Sequence, residues 1–139
     1  MASGPEVTVE RRLEWHDTDA AGHHHHSVIL RWAEDAEAEL LRGLGVQWLF
    51  GRTPRVRYEV DYKARLWFGD PASVRLWVAA VGTTSLTFRF EVTGPAGVVA
   101  AGSVVIVHAL PDGAATPWPA EVRAALGPVA DHPGDSVAR

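Results

Sequence analysis

The sequence predicts an α+β fold in which a five-stranded antiparallel sheet wraps around one long central helix. Three observations favour this fold. A helical repeat of apolar side chains lies between Ser27 and Gly43, four strand-like runs follow between residues 55 and 110, and short breaks rich in Gly, Pro and Asp separate those runs. Short connections join antiparallel neighbours. One helix cannot cover both faces of such a sheet, so we expect the edges and the second face to meet another copy.

The first element is predicted to be a strand from Val7 to Trp15. Apolar residues alternate with polar ones there at Val7, Val9, Leu13 and Trp15. A repeat of two residues is typical of a strand with one buried face.

The long helix is predicted from a repeat of three and four residues. Ser27 is expected to cap its first turn, and Gly43 and Gly45 are expected to end it. The apolar stripe consists of Ile29, Trp32, Ala33, Ala36 and Leu40. The charged residues lie mostly off that stripe and comprise Arg31, Glu34, Asp35, Glu37 and Glu39. Such a helix must bury one face against the sheet.

The remaining strands are predicted from residues 55–66, 72–81, 85–93 and 98–110, after a short apolar turn of helix at 46–50. Residues 119–126 begin with a proline, which suits the first turn of a short helix. We therefore divide the chain into a folded domain at residues 1–112 and a C-terminal extension at residues 113–139. The tryptophans Trp32, Trp48, Trp67 and Trp77 are expected in the core or at an interface between copies.

Composition and charge limit the kinds of binding partner and the cellular compartment that we expect. The chain has 139 residues, a net charge of -4 without a basic run, and no cysteine. Nucleic acid is therefore not an expected partner, and thiolate catalysis is excluded. No run approaches the roughly 20 apolar residues of a membrane span, and the first residues lack the apolar core of a signal peptide. We expect a cytoplasmic protein.

A polar loop precedes the long helix and carries the candidate site. It contains Asp17, Asp19 and the run from His23 to His26, with Gly22 between them. Free N–H groups at a helix start favour negative charge, including the charge that develops on a carbonyl oxygen during reaction. A carboxylate such as Asp19 can attack a carbonyl or activate water. The alternatives are a turn or capping role for Asp19 and a loop-holding role for Asp17.

The histidine run also invites a metal interpretation. Four consecutive residues cannot all face one ion, although alternate members could supply two ligands. Apart from His16, no other histidine lies nearby in the sequence. We therefore predict no metal site and no cofactor, and expect His25 or His26 to face a substrate.

The loop and two later turns resemble the 4-hydroxybenzoyl-CoA thioesterase-like hotdog-fold family. Its pattern is close to D-x-D-x-x-G, then a hydrophobic residue and two Tyr or His before a helix, and Asp17–Gly22 with the following histidines is similar. The stretch 60–70 resembles the family turn Y-x-x-P-[AL]-x-x-G-D, and 81–88 resembles its G-x-[TS]-S-[FL] hairpin. The order and spacing agree from about Val7 to Leu110.

The resemblance implies an acyl thioesterase that releases a free acid and a thiol from coenzyme A or an acyl carrier protein. It implies that Asp19 is the catalytic carboxylate, as nucleophile or general base, and that the backbone N–H of His26 polarises the carbonyl, with Gly22 allowing close approach. Implied substrate contacts come from His23, His25, Asp17, Ser27, Trp48 and Arg65. It further implies a homodimer or homotetramer with each site between two copies.

The chain departs from the family pattern at several positions. His23 replaces a small hydrophobic residue, Ile29 stands where many members have Tyr, and the hairpin lacks basic residues. Contacts to the phosphates of coenzyme A would have to come from Arg52, Arg55, Arg57, Lys63 or Arg65, which leaves a carrier protein open as the leaving group. A non-catalytic hotdog module that binds an acyl group or a partner is the alternative function.

Overall fold

A computed structural model describes residues 4–128 of the chain. The strands are β1 (Glu6–Arg12), β2 (Arg55–Tyr62), β3 (Pro71–Val81), β4 (Ser85–Gly94) and β5 (Gly97–Val107). The helices are α1 (Ser27–Gly43) and α2 (Ala120–Leu126), and short 3₁₀ turns span Trp15–Asp17 and Gln47–Leu49. This is the predicted α+β class with a five-stranded antiparallel sheet. None of the helices within residues 4–128 is both long and apolar enough to cross a membrane.

The strands form one sheet in the order β1-β3-β4-β5-β2, and every neighbouring pair is antiparallel. Strands β3, β4 and β5 follow one another in the chain and occupy the centre of the sheet, so β1 and β2 are its two edges. In the register across β4, β5 and β2, Phe88 pairs with Val104, which pairs with Tyr58. Because paired residues share a face, these side chains lie on the same side of the sheet.

Helix α1 buries its apolar stripe as predicted. Ile29, Trp32, Ala33, Ala36 and Leu40 are all buried and belong to one core cluster with the strands. Glu37 is a correction, since it was expected off the stripe but is only 5% exposed. Arg55 at the start of β2 donates to Glu37 Oε1 at 2.7 Å. This ion pair compensates for the burial of the carboxylate. Burial dominates, and the pKa of Glu37 lies above its ordinary value despite Arg55.

The segment after β5 contributes to the core. Trp118, Val122 and Leu126 are buried in the same cluster, and Trp118 Nε1–H donates to the Ser85 carbonyl oxygen at 3.0 Å. Helix α2 starts one residue after Pro119, close to the predicted short helix. The part of the predicted extension beyond residue 128 lies outside the described residues.

Three predicted strand ends are wrong. In each case a hydrogen bond outside the strand ladder ends the strand earlier than predicted. Strand β1 ends at Arg12, because the Asp17 carboxylate accepts from the Glu14 N–H and folds the next residues into a 3₁₀ turn. Trp15, expected on a buried strand face, is 72% exposed. Strand β2 ends at Tyr62, because Lys63 and Ala64 both donate to the Val99 carbonyl oxygen. Strand β5 ends at Val107, where His108 N–H bonds instead to Thr84.

Candidate active site

Asp17 anchors the loop that joins β1 to α1. Its side chain is buried, with Oδ1 accepting from Arg31 Nη2 of α1 at 2.7 Å and Oδ2 accepting from the Glu14 N–H at 2.9 Å. Its carbonyl oxygen accepts from the His25 N–H at 2.7 Å. Burial acts to raise the pKa of Asp17, but Arg31 and the Glu14 N–H outweigh it, and the pKa lies below its ordinary value. Asp17 therefore stays ionised and holds both ends of the loop.

Asp19 lies at the tip of the loop in a tight turn. Its Oδ1 accepts from the Ala21 N–H at 2.8 Å, its carbonyl oxygen accepts from the Gly22 N–H, and its own N–H donates to the His23 carbonyl oxygen. Gly22 has a φ of 89°, a conformation that favours glycine. The His23 N–H also interacts with the Asp19 carboxylate and favours its charged form.

The carboxylate of Asp19 is poised in its charged form. Its side chain is 31% exposed, and His23 Nδ1 lies 3.6 Å from Oδ2. Desolvation acts to raise the pKa of Asp19, but the Ala21 N–H and the nearby imidazoles of His23 and His25 outweigh it, so the pKa is lowered. An ionised carboxylate at neutral pH is the state that a nucleophile or general base requires.

His23 and His24 fasten the loop to the segment that follows β2. The His24 N–H donates to the Leu66 carbonyl oxygen at 2.9 Å, and the Leu66 N–H donates to His24 Nδ1 at 3.2 Å. His23 forms an isolated bridge with Trp67, and its ring meets the edge of that indole at 5.8 Å. Burial lowers the pKa of the His24 imidazole. A neutral His24 with its proton on Nε2 fits the Leu66 bond, because Nδ1 must accept.

The start of α1 corrects the capping prediction for Ser27. Ser27 is the first helical residue, His26 is the cap position, and no side-chain cap bond forms there. Instead, His25 Nδ1 accepts from the Ser27 N–H at 3.2 Å and lies 2.8 Å from Ser27 Oγ. The imidazole of His25 thus satisfies one first-turn donor, the N–H of Ser27 itself, in place of the cap that the serine hydroxyl was expected to provide.

The backbone around His26 presents a free donor. Within residues 4–128, the His26 N–H makes no hydrogen bond, whereas the His26 carbonyl oxygen accepts from the Tyr62 hydroxyl at 2.8 Å. The ring of Tyr62 also stacks on His24 at 6.0 Å between centroids. Tyr62, at the end of β2, therefore fixes the first turn of α1 next to the unpaired N–H of His26.

A cavity of about 460 Å³ collects several of these groups. Its lining consists of Asp19, His23, His24, His26, Tyr62, Lys63, Ala64 and Arg65. Asp19, His23, His26 and Arg65 were candidates from sequence, and the fold brings them to one place. Gly22, His25, Ser27 and Asp17 support the loop from outside that lining. His24 and Tyr62 were missed as site residues, although Tyr62 stands at the first position of the Y-x-x-P-[AL]-x-x-G-D turn that residues 60–70 resemble.

Trp48 lies elsewhere. It lines a second cavity of about 900 Å³ between the C-terminal half of α1 and the loops at 50–55 and 108–113. Within one copy of the chain, Trp48 and Asp19 do not share a cavity.

The histidine run does not assemble a metal site in the described part of the chain. Across residues 4–128, no three or more His, Asp or Glu side chains are grouped so that they could hold an ion. His23, His24 and His25 instead have hydrogen-bond partners within the loop, in α1 or at Leu66.

Comparison with known proteins identifies the family and the fold of the chain. The family model described as the thioesterase-like superfamily matches residues 13–126. A predicted thioesterase from Bacillus stearothermophilus is 27% identical, with a TM-score of 0.80 over 87% of this chain and 93% of that one. A thioesterase from Thermus thermophilus, complexed with coenzyme A and Zn, is 28% identical, with a TM-score of 0.80 over 91% of this chain and 94% of that one.

A more distant structure has the same fold. A mutant of 4-hydroxybenzoyl CoA thioesterase, complexed with 4-hydroxybenzoyl CoA, is 21% identical, with a TM-score of 0.79 over 88% of this chain and 99% of that one. The family match covers the Asp19 loop, α1 and the whole sheet beyond β1. The chain belongs to the thioesterase-like superfamily, and its class of activity is thioester hydrolysis.

Proposed function

We propose that the protein hydrolyses acyl thioesters of coenzyme A or an acyl carrier protein, with Asp19 as the catalytic carboxylate. One observation carries this proposal: Asp19 and His26 line the same cavity ahead of α1, and the His26 N–H has no hydrogen-bond partner within residues 4–128. Acyl transfer needs a carboxylate and a backbone donor at one site, since the carboxylate supplies electrons and the donor stabilises the oxyanion.

The reaction has two possible first steps at Asp19. As general base, the carboxylate takes a proton from water while the water oxygen adds to the thioester carbon. As nucleophile, a carboxylate oxygen adds to that carbon itself and gives a mixed anhydride that water then cleaves. In both routes the carbonyl oxygen becomes an oxyanion next to the His26 N–H, the C–S bond breaks, and the thiolate leaves and is protonated. The products are a carboxylic acid and a thiol.

The other site residues have supporting roles in this proposal. Gly22 and Asp17 shape the loop, and the His25 imidazole with Ser27 orders the first turn of α1. The rings of His23 and His26 and the side chain of Arg65 line the cavity and contact the substrate. Trp48 reaches an acyl group only if a second copy brings its own cavity to the Asp19 loop.

We further propose that the fold is a hotdog in which the sheet wraps around α1, and that two or four copies assemble. Helix α1 buries its apolar stripe in a core shared with the strands, which supports the wrapping. The two sheet edges and the exposed side chains of Val56 and Tyr62 on β2 leave room for pairing between copies.

The substitution Asp19→Asn tests the catalytic assignment. The amide oxygen still accepts from Ala21, so the turn is retained, but the basic and nucleophilic oxygen is lost. We expect kcat to fall by at least ~10² with a panel of acyl-CoA thioesters and a thiol reagent. Asp112→Asn is the matched control, because Asp112 Oδ1 accepts from the Ala114 N–H in the same type of turn.

Two results of this assay would contradict the proposal. Unchanged thiol release in Asp19→Asn removes Asp19 from the chemistry. Thioester binding without thiol release by the unsubstituted protein favours the non-catalytic module.

A further inference from the structure

His24 has a fixed ring in the wall of the Asp19 cavity. The residue is buried, its Nδ1 accepts from the Leu66 N–H at 3.2 Å, and its ring stacks on Tyr62 at 6.0 Å between centroids. The ring of His23 meets it edge to face at 5.9 Å. A ring held by a hydrogen bond and by two aromatic neighbours has its orientation before any ligand arrives.

The Leu66 bond determines which ring nitrogen of His24 carries the proton. Because Nδ1 accepts, and because burial lowers the pKa of the imidazole, the neutral ring has its proton on Nε2. Nε2 makes no hydrogen bond within residues 4–128, yet it is not one of the buried side-chain atoms that lack a partner in that part of the chain. The atom therefore keeps an accessible surface, and His24 lines the Asp19 cavity. His24 thus offers a neutral N–H donor to a ligand in that cavity.

The other three histidines of the run differ from His24 in this respect. The Nδ1 proton of His23 is directed to the His24 carbonyl oxygen at 3.2 Å. Nδ1 of His25 accepts from the Ser27 N–H, and this ring lies outside the cavity lining. The ring of His26 is exposed and contacts the His25 ring at 4.1 Å. His24 is therefore the histidine of the run with a buried and oriented N–H at the cavity.

We propose that the Nε2–H of His24 donates a hydrogen bond to the thioester carbonyl oxygen and, together with the His26 N–H, stabilises the oxyanion. This inference rests on the proposed thioesterase function. Asp19, His24 and His26 line one cavity of about 460 Å³, so a thioester held there has the carboxylate and both donors around it. Donors that are fixed before the reaction need no reorganisation when charge develops, which makes them effective. The bond transfers no proton: the oxyanion collapses, the thiolate leaves, and His24 stays neutral.

The two ring nitrogens of His24 can be replaced one at a time. In His24→Asn the amide oxygen takes the place of Nδ1 and still accepts from the Leu66 N–H, but no atom stands at the Nε2 position. In His24→Gln the amide nitrogen reaches the Nε2 position and donates, but the acceptor for Leu66 is lost. A residue that only holds the loop needs Nδ1, whereas a residue that binds the oxyanion needs Nε2.

Stability and activity are therefore expected to change in opposite directions in the two variants. For His24→Asn we expect an unchanged midpoint of urea denaturation at neutral pH and a fall in kcat of ~10², with KM little changed, for benzoyl-CoA or hexanoyl-CoA. For His24→Gln we expect a lower midpoint, because the Leu66 N–H loses its acceptor, and a kcat close to that of the unsubstituted protein. Each variant is the control for the other. The proposal is overturned if His24→Asn keeps its kcat, or if kcat falls in both variants in step with stability.

Two unreactive analogues of these substrates give a readout that does not depend on hydrolysis. In the ketone a CH₂ group replaces the sulfur, and in the thioether a CH₂ group replaces the carbonyl. By calorimetry, we expect the unsubstituted protein and His24→Gln to bind the ketone more tightly than the thioether, and this difference to shrink in His24→Asn. An unchanged difference in His24→Asn would remove the His24 donor and leave the thioesterase function. A difference that depends on His24, without any thioester hydrolysis by the unsubstituted protein, would keep the donor and remove the proposed function.

Discussion

At the scale of single residues, the site depends on side chains that hydrogen-bond to nearby backbone. The spacing of Asp17, Asp19 and Gly22 was visible in the sequence, as was the position of His26 before the helix. The capping role of His25 was not, because a histidine ring reaching the Ser27 N–H depends on the path of the loop. The burial of His24 against Tyr62 was equally hidden, since the partners are far apart in the chain.

His24 gives the fold a pH dependence of known sign. Burial lowers the pKa of its imidazole, so the unfolded chain binds the proton more readily than the folded chain. The free energy of unfolding is therefore expected to fall as pH drops below the ordinary value of 6.5 toward the lower folded pKa. In His24→Asn the amide oxygen can still accept from the Leu66 N–H, and this part of the slope should vanish. Urea denaturation at pH 5, 6 and 7 measures both proteins, and equal slopes would contradict the assignment.

At the scale of elements, the end of β2 and the start of α1 form one unit. The Tyr62 hydroxyl donates to the His26 carbonyl oxygen, which holds the peptide next to the free His26 N–H. The apolar repeat of α1 and the alternation of β3 and β4 were predictable, because burial alone determines them. The ends of β1, β2 and β5 were not, because bonds such as Asp17 to Glu14 compete with the strand ladder.

Tyr62→Phe tests the coupling of these two elements. The phenyl ring preserves the stack on His24, while the bond to His26 is lost. A hydrogen bond of roughly 0.5–1.5 kcal/mol corresponds to a decrease in kcat of up to about tenfold, with KM little changed. Ser73→Ala is the control, because it removes a hydroxyl that donates to Glu10 outside the cavity lining. A change in KM alone would assign Tyr62 to substrate binding instead.

At the scale of the whole molecule, the Asp19 loop and Trp48 lie at separate cavities. The sequence predicted the single sheet and its helix, since short turns leave few topologies. It could not reveal that one copy keeps Trp48 apart from Asp19, because that depends on how distant segments converge. A second copy is the means we propose for bringing such surfaces together.

We expect light scattering to give at least twice the chain mass of 15.0 kDa. Val56 on the edge strand β2 is 53% exposed, and a lysine there would oppose pairing between strands of two copies. Val56→Lys should therefore shift the mass toward 15.0 kDa as the protein is diluted. Thr93→Lys, at an exposed position of the central strand β4, serves as the comparison. An unsubstituted chain of 15.0 kDa at every concentration would exclude assembly.

Lys63 is the only lysine of the sequence, so amine-directed reagents can modify just one side chain. Apart from the chain terminus, an amine-directed label has a single place to attach, and that side chain lines the Asp19 cavity. The yield of label at this one ε-amino group thus reports directly whether the cavity is occupied. Shielding by successive fragments of a thioester would map the occupied stretch on the native protein.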